Sequence, residues 1–468
     1  MSLSNSLNSI LAEDIPTAFS RFGRRLDAEW IHEALEETGT ASVRRRKIPA
    51  ELVVWLVIGM AMFRDQAISV VVKHLGLTLP SQRNKSGPAG GTSVVPGAIP
   101  AARYRVGAAP MELIFKRTAL TWAIAAAEKH LWNGLSLFGI DGTTLRIQDT
   151  DENRNVFGLP PSSRGQAGYP QARVVTLMAL RSHLIAGVAF GPCRGKETGE
   201  QTLARQLWPQ LPEKSLTIVD KGFMDYGLFY RLSHADAESV TGLKHWLTRA
   251  KKNAAWKTLE VLGDGDELVE LTFSHAARTR DPELPRTMVA RAINYQVAGH
   301  DPQTLLTSLL DAELYPALEV AALYHERWEL EVGYDELKTD MLDRKESLRS
   351  KKPEGVEQEI WGIMLAYNLV RTEILEVAAA AGVEPTRVSF RHTLQLVRVL
   401  CLVQAWTSSP GTIPKLITAH HEMMKSLILP ERRPERRYKR HVKIKMSSYK
   451  RNPGRPAKGS ESLVISAN

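Results

Sequence analysis

After Trp132 the hydrophobic period of the chain changes, and that change limits the available folds more than any other feature. From about Ile15 to Leu79, and again from Ala101 to His130, apolar residues recur at helical spacing, with a helix start marked by Pro49. Residues 80–100 between them, rich in Gly, Pro and Ser, read as a linker. Beyond Trp132, Leu135 to Asp141 and Thr143 to Gln148 read as two strands joined at Asp141-Gly142, a strong hairpin dipeptide. Val174 to Phe190 makes one long strand or two, and a helix follows from about Glu197 to Gln210. Leu216 to Asp220 is a short apolar strand ending in an acid, a helix lies near Tyr226 to His234, and Val240 to Leu247 is strand-like again. This order of strands and helices suits a mixed sheet with helices on its faces, an α/β fold. Residues 250–312 alternate between Gly and Pro breaks and read as a mostly β insertion. From Ala317 the chain is helical through Leu342, then from Gly355 to Ala381 and from Pro385 to Trp406.

At 468 residues the chain exceeds what one core usually serves. The patterns divide it into an N-terminal helical domain (1–130), an α/β core with its insertion (131–345), a helical region (346–430) and a tail (431–468). Cys193 and Cys401 stand far apart without Cys or His partners, so neither a disulfide framework nor a structural zinc site is indicated, and a reducing cytoplasm fits. The N-terminus shows no secretion signal, and the longest apolar run, Leu52 to Phe63, is short for a bilayer span.

The net charge of +10 is informative once located. Twelve basic residues against two acidic ones lie between Glu431 and Lys458, among them Arg432, Arg433, Arg436, Arg437, Lys439 and Arg440, so the rest of the chain is neutral in sum. Broken by Pro434, Pro453 and Pro456, the segment reads as an extended arm seeking a polyanion, or as a solubilising tail. Gly454-Arg455-Pro456 resembles the core of a minor-groove hook. The N-terminal domain carries Arg44-Arg45-Arg46-Lys47, Arg103, Arg105, Lys116 and Arg117, consistent with a DNA-binding module or with a purely structural bundle.

Chemistry is carried by the helix from Ala317. Tyr324, Arg327, Glu331 and Lys338, at offsets 0, +3, +7 and +14, fall within about 60° of arc on a helix of roughly 100° per residue. Leu323, Leu330, Leu337 and Met341 form an apolar seam beside them. One carboxylate flanked by two cations and a phenol suits a metal ligand among phosphate-binding groups. Asp141 and Asp220, at strand ends, are candidate partners, although each could be a turn residue. Asp335 is a weaker substitute for Glu331, and Asp149, Asp151 and Asp225 read as turn or cap residues.

Tyr-x2-Arg-x3-Glu-x6-Lys resembles the signature of the insertion-element-4 family of DDE transposases, matched at Tyr324, Arg327, Glu331 and Lys338. FGIDGTTLRIQDTDEN looks like that family's first-Asp segment, LTIVDKGFMDYGLF like its second, and ARYRVGAAPMELIF like the end of its N-terminal domain. The resemblance spans roughly residues 15–450. It implies a ribonuclease-H-like core with Asp141, Asp220 and Glu331 as catalytic metal ligands for two Mg²⁺ ions, Mn²⁺ being possible. It implies Arg327 and Lys338 on DNA phosphates, Tyr324 positioning a terminal phosphate, and a homodimer that synapses terminal inverted repeats with target DNA. Some relatives stack a Trp of the insertion on a flipped base; Trp246 and Trp256 are the nearest candidates, each also readable as packing. A DNA-binding relative without catalysis, or a nuclease that cuts without joining, are the alternatives.

Overall fold

The structure is a computed structural model, and it describes residues 15–42, 48–77, 97–162, 165–195, 198–234, 244–296, 301–343, 347–407 and 409–430. The Arg44 to Lys47 run, most of the linker and the tail lie outside these residues. Among the described residues a 3-10 helix, Thr17–Arg24, and five α-helices precede the sheet: α1 (Ala28–Glu37), α2 (Ala50–Met62), α3 (Ile68–His74), α4 (Ala98–Val106) and α5 (Ala109–Ala127). Helix α4 begins inside the stretch expected to be linker.

The sheet follows, interleaved with short helices: β1 (Ser136–Arg146), α6 (Asp151–Phe157), a small hairpin β2 (Pro161–Ser162) and β3 (Gly165–Gln166), then β4 (Gln171–Ala179) and β5 (Ile185–Pro192). Next come α7 (Glu200–Ala204), β6 (Ser215–Val219), α8 (Tyr226–Ser233) and β7 (Lys244–Arg249). The insertion supplies β8 (Lys257–Gly263), β9 (Asp266–Thr272), α9 (His275–Arg280), β10 (Thr287–Tyr295) and β11 (Gln303–Thr307). The chain closes with α10 (Ala317–Tyr324), α11 (Trp328–Asp335), α12 (Pro353–Ala381), α13 (Phe390–Trp406) and α14 (Ile413–Lys425). Among the described residues nine strands form one sheet in the order β5-β4-β1-β6-β7-β11-β10-β9-β8. Strands β1, β6 and β7 are parallel neighbours, and the other pairings are antiparallel.

Asp141-Gly142 does not turn. It lies inside the continuous strand β1, where Asp141 opposes Thr176 and Gly142 opposes Val175. A hairpin dipeptide turns only where nothing pairs with it, and here β4 runs alongside while Glu200 packs over Gly142, so closely that a Cβ there would lie 2.7 Å from the Glu200 Cδ.

Helices cover both faces of the sheet. Alternation along β1 sends Leu137 and Leu145 into a core shared with α2, α11 and α12, and Phe138 and Ile140 into a second core with α7, α8 and the end of α5. Trp246 sits in that second core, stacked on Phe229 at 4.5 Å, with its Nε1 donating to Ser233. Trp256 is half-buried against the same core.

The helices before the sheet are joined to those after it. Buried Arg64 pairs with Glu359 at 2.5 Å, Arg103 donates to Gln358 and Ser350, and Arg21 pairs with Glu373. Arg103 is thus spent on packing, while Lys116 pairs with Glu112 and Arg117 with Glu33 and Glu37. Of the cations read from sequence as basic edges, Arg103 is therefore committed inside the fold, while Lys116 and Arg117 pair with carboxylates at the surface. Within the insertion, Arg291 forms a bidentate pair with Asp266 and donates to the Tyr315 carbonyl at 2.7 Å, which ties the sheet to the start of α10.

Candidate active site

A close approach between strand and helix brings the carboxylates together. Gly139 on β1 meets Leu330 of α11, and a Cβ at 139 would come within 2.7 Å of Leu330 Cδ1; Gly333 on the same helix lies as closely over Met178 of β4. With side chains absent at both contacts, α11 lies low on the sheet. Alternation places Asp141 and Thr143 on the Gly139 face, and Leu216 and Ile218 of β6 share that face's core, which directs Asp220 the same way. Tyr334, on α11, donates to the backbone carbonyl of Asp141 and shares a 2.8 Å hydrogen bond with Thr176, a direct link between Glu331's helix and Asp141's strand.

The helix read as continuous from Ala317 is wound unevenly. A 3-10 turn at His325–Arg327 follows α10, and a π-helical stretch, Glu336–Met341, ends α11. Its outer side is locked by a buried node. Glu336 accepts from Tyr367 at 2.8 Å and pairs with Arg371, while the His183 ring bridges Glu336 and Glu329. Burial alone would raise the Glu336 pKa, but Arg371 and His183 hold it down to about 2.

Asp141, Asp220 and Glu331 line one cleft of about 560 Å³, with Tyr324 and Arg327 beside them. A second cleft, about 500 Å³, adjoins it at Asp141 and Glu331 and contains Lys338, Asp335 and Tyr334. Arg327 donates to Glu331 at 2.9 Å, Lys338 to the Thr143 hydroxyl at 3.0 Å. The Asp141 and Asp220 carboxylates each accept the backbone N–H of the following residue, at 2.7 and 2.6 Å. Burial pushes the Asp141 carboxyl up to about 6, the Gly142 N–H and Arg327 oppose this, and Glu200 and Asp220 add to it. Burial also pushes the Tyr324 phenol up to about 12, so it is neutral at physiological pH.

Asp301 also lines the first cleft and Asp335 the second, while the acids read as turn or cap residues lie elsewhere. Asp149 pairs with Arg154, and Asp225 caps α8 and pairs with Arg205. Sequence spacing gave no sign of Arg249, Tyr295 and Gln303, which the first cleft draws from β7, β10 and β11, nor of Arg146 and Tyr169 in the second.

Two family models match the chain, "Insertion element 4 transposase N-terminal" over residues 16–116 and "Transposase DDE domain" over residues 132–369. Transposase InsG for insertion sequence element IS4, from Escherichia coli (strain K12), is 37% identical over 443 residues, 94% of this chain and 96% of its own. The chain belongs to the insertion-element-4 family of DDE transposases. Among solved structures, the piggyBac transposase synaptic complex with hairpin DNA matches 90% of this transposase and 87% of its own chain, at 10% identity and a TM-score of 0.41, too slight a likeness to argue from.

DDE domains use divalent metal ions, and the transposase's cleft suits one. Its donor set is all oxygen, and Asp141 is disfavoured as an anion by burial and by its acidic neighbours, a cost that a cation would relieve. The three carboxylates are not drawn within 4.8 Å of one another; among the described residues only Glu373, Glu376 and His421 are, and Arg21 and Arg25 already neutralise that cluster. In the transposase Glu331 is instead held by Arg327, so metal binding would have Arg327 share or release it. No helix among the described residues is long and apolar enough to cross a membrane.

Proposed function

We propose that this transposase binds the terminal inverted repeats of its element, cleaves the DNA there and joins the freed 3′-OH to target DNA. The observation that carries the reading is that three carboxylates, from the interior of β1, the end of β6 and one helix, line one cleft that adjoins a second, both clefts bearing cations. Asp141, Asp220 and Glu331 would hold two Mg²⁺ ions, or Mn²⁺, on a ribonuclease-H-like core. When bound, such ions activate the attacking oxygen and stabilise the leaving one. The chain's own residues do the rest. Arg327 offers a planar fork to a phosphate, Lys338 a point charge, and neutral Tyr324 a hydroxyl that positions a terminal phosphate without repelling it.

In the first step water forms a P–O bond at the element end as the bond to the element's 3′ oxygen breaks. In the second, that 3′-OH attacks a target phosphate and releases the target's own 3′ oxygen. The N-terminal domain (1–130) would select the repeat, the tail (431–468), with Arg432, Arg433, Arg436, Arg437, Lys439 and Arg440, would grip phosphates, and two copies would synapse the two ends in the bacterial cytoplasm.

The test is incubation with Mg²⁺ and DNA carrying the element's terminal repeats, with cleavage and joining both scored. Glu331→Gln should lose cleavage by at least about a hundredfold while end binding stays within about threefold, because a ligand is lost and phosphate contacts lie elsewhere. Full cleavage by Glu331→Gln would move the third ligand to Asp335.

A further inference from the structure

The two clefts meet at Asp141 and Glu331 but differ in what they offer a nucleic acid. The first holds Tyr324, assigned above to a terminal phosphate, with Arg327 beside it. The second runs along the C-terminal half of β1, past Thr143, Thr144 and Arg146, to Tyr169. There the Arg146 guanidinium lies over the Tyr169 ring, 5.1 Å from its centroid, and both side chains are half-buried at the cleft wall. A guanidinium stacked on an aromatic ring is fixed in plane and presents its donors edgewise to a phosphate, and the aromatic is a surface for a base. Lys338, held against Thr143 at 3.0 Å, adds a second cation about midway between this pair and the carboxylates along β1. Asp335 also borders the cleft, but its carboxylate accepts from Thr339 at 2.7 Å on the helix side.

We propose that this second cleft, through Arg146 and Tyr169, holds the DNA strand that lies across the scissile phosphate from the element end. The inference rests on the catalytic reading above. In-line displacement keeps the attacking and leaving oxygens on opposite sides of the phosphorus. The element's 3′ oxygen is the leaving group in cleavage and the nucleophile in joining, so it occupies the same side in both steps. The strand bonded to that phosphorus through a 5′ oxygen, a bond that stays intact, is the flanking DNA in the first step and the target in the second. Both steps thus call on the same phosphate- and base-binding wall, and the first cleft, filled by the element end, is not free to supply it.

The experiment compares two end substrates, one with about ten nucleotides of flank beyond the scissile phosphate and one with a single nucleotide. Full-length protein and the Arg146→Ala, Tyr169→Ala, Arg146→Lys and Tyr169→Phe variants are assayed with Mg²⁺, and pre-cleaved ends are then titrated with plasmid target. Wild type should cleave the long flank about tenfold faster than the short one. In Arg146→Ala and Tyr169→Ala that ratio should fall towards one and the KM for target should rise about tenfold, with affinity for pre-cleaved ends within about twofold of wild type. Tyr169→Phe should keep the wild-type ratio, because the ring and its stacking remain, and Arg146→Lys should fall between. Equal losses on both substrates, or a ratio and KM that do not move in any variant, would overturn the proposal. So would a wild-type protein that cleaves with no preference for flank length. A wild-type protein that cleaves neither substrate would instead remove the catalytic reading on which the proposal stands.

Discussion

At the scale of single residues, Asp141 shows how the site trades stability for chemistry. Its carboxyl is raised from 3.8 to about 6, by burial first and then by Glu200 and Asp220. A folded-state pKa above the unfolded one means that the native chain holds the proton more tightly, so this contribution to stability is complete below about pH 4 and is lost as pH rises through 6. At pH 7.5 without metal, the buried anion therefore costs stability. Asp141→Asn should raise the melting temperature of the metal-free protein at pH 7.5, by an amount equivalent to about 1–3 kcal/mol for a shift near two units, while abolishing cleavage. At pH 4 the gap should close, and thermal melts at the two pH values check this. A variant no more stable than wild type at pH 7.5 would mean that the carboxylate is not strained by its surroundings. Because a metal ligand must be deprotonated, Mg²⁺-dependent cleavage by the wild type should also decline as pH falls below 6, with the metal concentration needed for half-maximal rate rising in step.

Elements carry the next level of the design, since the site depends on how low α11 rides on β1 and β4. Gly139→Val would drive a branched side chain into Leu330 and Leu180. Overpacking of this kind costs about 1–3 kcal/mol, and the α11 backbone that carries Glu331 would be lifted. Cleavage should fall at least about tenfold at temperatures where the variant remains folded by circular dichroism. The second substitution Leu330→Ala should restore much of the activity, since it vacates the volume that valine claims; a double variant as inactive as the single one would show that α11 is not positioned by this contact.

The same elements show what the sequence could and could not disclose. The stripe on the Ala317 helix was legible because helical spacing is local: Tyr324, Arg327 and Glu331 do face one cleft. Lys338 lies one cleft over, beyond the start of the π-helical stretch, where the helix no longer keeps an ideal phase. The unbroken run of β1 through Asp141-Gly142 was not legible. Local turn chemistry favoured a hairpin, and only β4 alongside and Glu200 above decide otherwise. Arg146 pairs with Gln171, two residues after Tyr169, and Arg249 pairs with Leu305, so these groups reach the clefts through the sheet, and spacing carries no trace of that.

Over the whole molecule, charge and packing are separated, and the separation bears on how DNA is held. Arg103, which the sequence offered as part of a basic DNA-facing edge, is committed to Gln358, and Arg64 pairs with Glu359, so both weld the first helices to α12. Removing such a buried partner leaves an uncompensated charge, which is why these groups serve the fold first. The net charge of +10 then rests on residues 431–458, outside the described part of the chain, with the remainder neutral in sum. If those residues engage phosphates, deleting 431–468 should weaken DNA binding and flatten its salt dependence, since every phosphate left without its cation takes about 0.9 from the slope of log K against log salt. A change of several units is expected, measured by binding to end DNA between about 50 and 200 mM salt. Phosphate contacts position a protein and base contacts specify its site, so the preference for the terminal repeat over unrelated DNA should survive truncation better than affinity does. An unchanged slope would make the tail a bystander and assign the phosphate contacts to the rest of the chain, the walls of the two clefts among its surfaces.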